Sequence, residues 1–273
     1  MITRFVNKLL LVVTYVATIA TFGMLIFLIG YILVKGVPEI NPDLFALKYN
    51  SENVSLFPAL ITTIFTVVLS LILVVPIGIF TAIFLVEYSK RGSKIVKVIR
   101  ITAETLSGIP SIVYGLFGLL FFVTWMGWGF SLIAGVFTLS IMILPLIMRT
   151  AEESLKSVPD TLREASYGLG AGRLRTVFRI VLPSAVPGIL AGVILGIGRI
   201  VGETAALIYT AGTVTQIPSN IFASGRTLSV HLYALSSEGF HTGQAYATAV
   251  VLLVLVVGIN ALSAAAAKRI TRV

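Results

Sequence analysis

The chain has 273 residues, 57% of them hydrophobic and 11% charged, with a mean hydropathy of +1.03 and a formal net charge of +9. These values exclude an ordinary water-soluble domain. The lack of any cysteine excludes disulfides and thiolate metal sites.

Leu9–Val34 carries no charge for 26 residues, more than the roughly 20 that cross a bilayer as helix. Arg4 and Lys8 precede it as in a signal peptide. The run nevertheless exceeds an ordinary h-region of about 7–15 residues and ends in no Ala-x-Ala site, so an uncleaved first helix is expected. Asn53–Val86 is uncharged for 34 residues and forms a second span. Thr105–Met148 is uncharged for 44, too long for one crossing. Trp125-Met126-Gly127-Trp128-Gly129 supplies an interfacial turn near its middle, giving spans three and four. Two more fit about Ile180–Thr210 and Thr242–Ala267. Backbone groups in lipid must be satisfied within the segment, and these runs are too long for barrel strands. The expected fold class is an all-α membrane protein with six transmembrane helices, a single domain over 1–273. Its main connectors lie at about 149–180 and 211–242.

The basic residues sort by side. Sixteen of the 20 Lys and Arg fall in the termini and alternate connectors: Arg4 and Lys8, then Lys90 to Arg100, then Arg149 to Arg179, then Lys268, Arg269 and Arg272. The opposite connectors hold only Lys35, Lys48 and Arg226. This positive-inside pattern places both termini in the cytoplasm and accounts for the charge without a nucleic-acid partner. The 149–180 connector is then cytoplasmic.

Within it, Leu155, Val158, Leu162, Ala165 and Leu169 recur at spacings of 3 and 4, one face of a helix. Pro159 suits a first turn, with Asp160 at the positive end of the helix dipole. Gly168, Gly170 and Gly172 then interrupt the helix, and a second short helix over about Arg173–Val181 leads to Pro183. By composition alone this is either an amphipathic helix in the membrane interface or a docking surface.

The fifth span carries Arg199 and Glu203 four residues apart, a spacing at which they neutralise one another on a helix. Intramembrane charges face protein or a water-filled path. Gly188, Gly192, Gly196, Arg199 and Glu203 share one helical face, so that face permits close helix approach. Two readings follow: an ion pair locking an interface, or a polar lining in which Arg199 leaves Glu203 to meet a passing oxyanion. In the outer connector, His231 and His241 form no metal-ligand pattern and read as polar loop residues; its structure is either a short lateral helix or part of an outer gate.

Glu164-Ala165-Ser166-x3-Gly170-x9-Ile180-x-Leu182-Pro183 resembles the EAA loop of importer-type ABC permeases in every spacing, with Ser166 in place of a second Ala. The resemblance implies a type I importer permease in which this loop is a coupling helix seated in a cytoplasmic ATPase, through Glu164, Ala165, Ser166 and Gly170. Arg199-x2-Gly202-Glu203-Thr204-Ala205-Ala206 resembles the signature of the phosphate permeases. Ser107-Gly108-Ile109-Pro110-Ser111-Ile112-Val113-Tyr114-Gly115, at the start of the third span, does so as well. The implied substrate pathway contains Arg199, Glu203, Thr204 and Ser111. Within that family the Gly-Glu-Thr-Ala-Ala form resembles the PstA branch, which implies a heterodimer with a PstC-like permease, a PstB-like ATPase dimer and a PstS-like phosphate-binding protein. The chain itself would bind no cofactor and catalyse nothing. It has no Gly-x4-Gly-Lys-Ser/Thr loop, so ATP-Mg belongs to the partner. Such a subunit sits in a bacterial or archaeal cytoplasmic membrane and works by alternating access. Alternatives are a permease for sulfate or molybdate, the PstC-like role, or an ion-coupled carrier or channel, in which the coupling loop has no part.

Overall fold

The computed structural model describes residues 2–90 and 92–270. Arg91 and Arg272 of the basic set lie outside the described residues. The chain is helical, and no β-strand occurs among the described residues. Helix α1 (Ile2–Gly36) leads through two short 3-10 turns to α2 (Phe57–Ile83), which continues as a π-helical turn over Phe84–Tyr88. Helices α3 (Lys94–Ser107) and α4 (Ser111–Gly118, extended by a π turn over Leu119–Trp125) follow. Next come α5 (Leu132–Lys156), α6 (Asp160–Gly168) and α7 (Arg173–Thr176). A π turn at Val177–Val181 joins α7 without a break to α8 (Leu182–Gly202). Last are α9 (Ala205–Ile208), α10 (Leu228–Glu238) and α11 (Thr242–Ile270).

Five of these helical runs are long and apolar enough to cross a membrane, and six if α3 and α4 count as one span. That pair is bent by 101°. Pro110, the N-cap of α4, takes an extended ψ of 143° and Gly108 ends α3, so the third uncharged run begins at a right-angled corner before its first span. The Tyr114 hydroxyl donates to Leu106 O at 2.8 Å and ties the corner together. The fifth span also ends earlier than hydropathy indicates, at Gly202 instead of Thr210, because Glu203 is already extended at φ −72°, ψ 130°.

α5 is the central helix, packed between α2 and α8. Leu139, Met142, Ile143 and Ile147 from α5 meet Val67 and Val74 from α2 and Ile197, Ile200 and Val201 from α8 in the main core. The glycine stripe makes this packing possible. A Cβ on Gly188 would lie 2.9 Å from Ser154 Cβ, and one on Gly192 2.6 Å from Thr150 Cβ. The facing hydroxyls are themselves satisfied, Thr150 donating to Leu146 O and Ser154 to Thr150 O. Gly192→Val is therefore expected to drive α5 and α8 apart and cost about 1–3 kcal/mol, read as a lowered thermal midpoint in detergent. α1, in contrast, leans on α11 and has its apolar residues exposed along its length.

Candidate functional site

The C-terminal ends of α2 and α5 and the N-terminal end of α8 converge, and the EAA-like segment hangs from that end. α5 stops at Lys156 and Pro159 caps α6, so the five apolar residues of the connector do not share one helix face. Leu155 and Val158 are buried with Ala82, Ile83, Val177 and Val181. Leu162, Ala165 and Leu169 remain outside, Leu169 90% exposed. Together with Glu164, itself exposed, they form a mixed apolar and acidic surface on α6 and the turn after it.

The turn after α6 depends on Gly170, whose φ of +83° favours glycine. Its N–H donates to Tyr167 O, and that of Ala171 to Ser166 O. Ser166, the departure from the family pattern, is buried with its hydroxyl 2.8 Å from Thr176 Oγ1, so the substitution stitches α6 to α7. Ser166, Leu169, Ala171, Arg175, Arg179 and Ile180 border an open recess of about 500 Å³.

Two contacts that sequence reading missed fix this loop to the end of α2. Arg163 donates to Glu87 Oε1 through Nε at 3.1 Å and Nη2 at 2.8 Å, and to the carbonyls of Val158 and Leu155 at 2.7 and 2.9 Å. Asp160 Oδ1 receives a further bond at 3.1 Å. The second contact places the Arg173 guanidinium 5.7 Å from the Tyr88 ring centroid. The only sequence signal was that Glu87 is the first charge after a 34-residue uncharged run.

The expected substrate-pathway residues do not converge. Arg199 is exposed and borders a cavity of about 390 Å³ lined also by Arg100, Ser107, Arg149, Glu152 and Lys156. Ser111, Glu203 and Thr204 are not among its lining residues. Glu152 Oε1 lies 2.6 Å from both Arg100 Nη2 and Lys156 Nζ, and Arg149 pairs with Glu153 at 3.2 Å. Of the four cations lining the cavity, only Arg199 has no ion pair among the described residues.

The expected Arg199–Glu203 pair is absent among the described residues. Because α8 ends at Gly202, Glu203 leaves the helical path and its Oε1 accepts from Thr204 N–H at 3.2 Å and Ala206 N–H at 3.1 Å, capping α9. Glu203 is thus a buried backbone cap. Thr204 is half-buried, its hydroxyl turned back to Gly202 O at 3.4 Å.

On the opposite side, the connector forms α10, and His231 within it is fully buried rather than a polar loop residue. Burial, and then the nearby Arg226 charge, push its pKa down to about 3. A base whose pKa falls on folding binds its proton more readily when unfolded, so stability is full above about pH 6.5 and declines as pH drops towards 3. Stability, read by thermal unfolding, is expected to fall by about 1.4 kcal/mol for each pH unit below about 6.5 through this group, and His231→Gln to remove that dependence.

Residues 74–272 match the model of a family described as binding-protein-dependent transport system inner membrane component. The chain is 34% identical over 232 residues to a probable ABC transporter permease protein, YqgI, of Bacillus subtilis, covering 80% of this chain and 79% of that protein. It is 33% identical over 265 residues to the phosphate transport system permease protein PstA of Pasteurella multocida, covering 93% and 92%. Among solved structures, a bacterial ABC transporter involved in alginate import superimposes with a TM-score of 0.71 at 20% identity, covering 97% of each chain. The MetNI methionine ABC transporter in an inward-facing conformation gives a TM-score of 0.61 at 20% identity, covering 79% of this chain and 94% of that one.

Proposed function

The chain belongs to the binding-protein-dependent transport system inner membrane components, and from that membership we propose that it is the PstA-like permease subunit of an ATP-driven importer of inorganic phosphate. The observation that carries the substrate reading is Arg199, the one cation of the inner cavity with no ion pair among the described residues. A guanidinium left open in a polar cavity meets a tetrahedral oxyanion through two parallel hydrogen bonds. Relatives named as PstA phosphate permeases support phosphate over sulfate or molybdate.

The end bearing α6 faces the cytoplasm in this reading, with both termini on the same side. Leu162, Glu164, Ala165 and Leu169 offer the exposed surface to a separate ATPase, which binds ATP-Mg and does the hydrolysis. This chain contributes the path and no catalysis. A PstC-like permease completes the path as a heterodimer, and a phosphate-binding protein delivers the ion from outside. Force applied to α6 passes through Ser166–Thr176 into the unbroken helical run Arg173–Gly202, which carries Arg199. Ser111 and Thr204 belong to neighbouring turns of the path rather than to the Arg199 cavity.

Uptake into proteoliposomes holding the four-component complex tests the substrate. Phosphate accumulation that unlabelled phosphate suppresses, and that equimolar sulfate or molybdate leaves unchanged, is the expected result. Preferential uptake of sulfate or molybdate would replace the substrate and keep the permease.

A further inference from the structure

The outer connector buries a guanidinium that has no ion pair among the described residues. Arg226 is 6% exposed, and its Nε and Nη2 have no hydrogen-bond partner among the described residues. Its guanidinium lies 4.8 Å from the Tyr49 ring centroid. Tyr49 in turn meets the His231 ring edge-on at 6.2 Å. Neither nitrogen of fully buried His231 has a close hydrogen-bond partner among the described residues, although the Val54 backbone stands near the ring. An aromatic face attracts the cation but cannot accept its in-plane N–H groups. Burying a charge without a partner is costly, so a guanidinium held this way is suited to a group that arrives from elsewhere.

The position is fixed by backbone. Arg226 N–H donates to Val214 O at 2.9 Å and Leu228 N–H to Thr63 Oγ1 at 2.8 Å. The Thr227 and Ser229 hydroxyls are 3.1 Å apart, and Ser229 Oγ donates to Glu203 O at 2.6 Å. A chain of hydroxyls therefore leads from beside Arg226 to the end of α8, the helix that carries Arg199.

We propose that Arg226, with His231 and Tyr49 beside it, forms an outer subsite for a tetrahedral inorganic oxyanion on its way towards Arg199. The identity of the ion as phosphate rests on the function proposed above; the subsite itself does not. The guanidinium fork takes two oxygens. His231 is neutral and offers one N–H donor and one bare nitrogen acceptor. Hydrogen phosphate carries the O–H that this acceptor needs, whereas sulfate has no proton to give it.

This chain contains two histidines, so 15N-histidine labelling of the full chain in lipid nanodiscs reports on His231 and His241 alone. Inorganic phosphate is expected to shift the His231 signals saturably and leave those of His241 in place, with sulfate at equal ionic strength much weaker. Arg226→Gln is expected to abolish the shift and Arg226→Lys to weaken it. A saturable shift with sulfate and none with phosphate keeps the subsite and removes phosphate as its ion. No saturable shift with either anion overturns the proposal. So does a phosphate shift unchanged by Arg226→Gln, or one produced only by added anion-free binding protein.

Discussion

Arg163→Ala is expected to uncouple the transporter and to destabilise the chain by about 3–5 kcal/mol, the range for a buried ion pair that loses one partner. The Glu87 side chain is 5% exposed and that of Arg163 13%, so the orphaned carboxylate would have little water to turn to. The same guanidinium also satisfies Leu155 O and Val158 O where the chain breaks between α5 and α6. Losing it frees α6 from the end of α2 as well as weakening the fold. Thermal unfolding and phosphate uptake per ATP hydrolysed should both fall. Arg163→Lys, which keeps the charge but not the fork, should lie between the variant and the parent. A midpoint unchanged in Arg163→Ala would show that this anchor carries no weight.

Arg199→Ala should leave assembly intact and cut phosphate transport roughly 10- to 100-fold, the loss of a charge-assisted contact of about 1.5–3 kcal/mol. Assembly is expected to survive because Arg199 is exposed and has no ion pair among the described residues. Initial rates of phosphate uptake by the assembled variant measure this. The structure reverses what residue spacing suggested for Glu203. In Glu203→Gln the amide oxygen still accepts from Thr204 and Ala206 N–H, so transport should be largely kept, whereas Glu203→Ala opens the cap and should weaken the α8–α9 corner.

The spans were legible in the sequence because hydropathy adds up residue by residue along a helix. The short helices and turn between α5 and α8 were legible because the glycines and Pro183 sit at fixed intervals, and Gly170 does adopt the left-handed turn that favours glycine. Helix ends were not. Nothing in the hydrophobic period announces that α8 stops at Gly202, and a one-residue change from helical to extended ψ was enough to separate Arg199 from Glu203. The right-angled corner at Gly108–Pro110 was not announced either, because hydropathy runs unbroken through it. Contacts distant in sequence were hidden altogether: Glu87 and Arg163 are 76 residues apart. His231 shows the same limit, since burial depends on what packs over α10 and not on the polarity of its neighbours in the chain.

In the function proposed above, this permease conducts phosphate and is driven through α6 by a separate ATPase. The most direct measurement is ATP hydrolysis by the reconstituted four-component complex, with and without phosphate-loaded binding protein. Hydrolysis is expected to be stimulated by phosphate-loaded binding protein, and the stimulation to be lost when Glu164 and Leu169 are replaced together. Hydrolysis indifferent to phosphate, or stimulation that survives the loss of both residues, would contradict it.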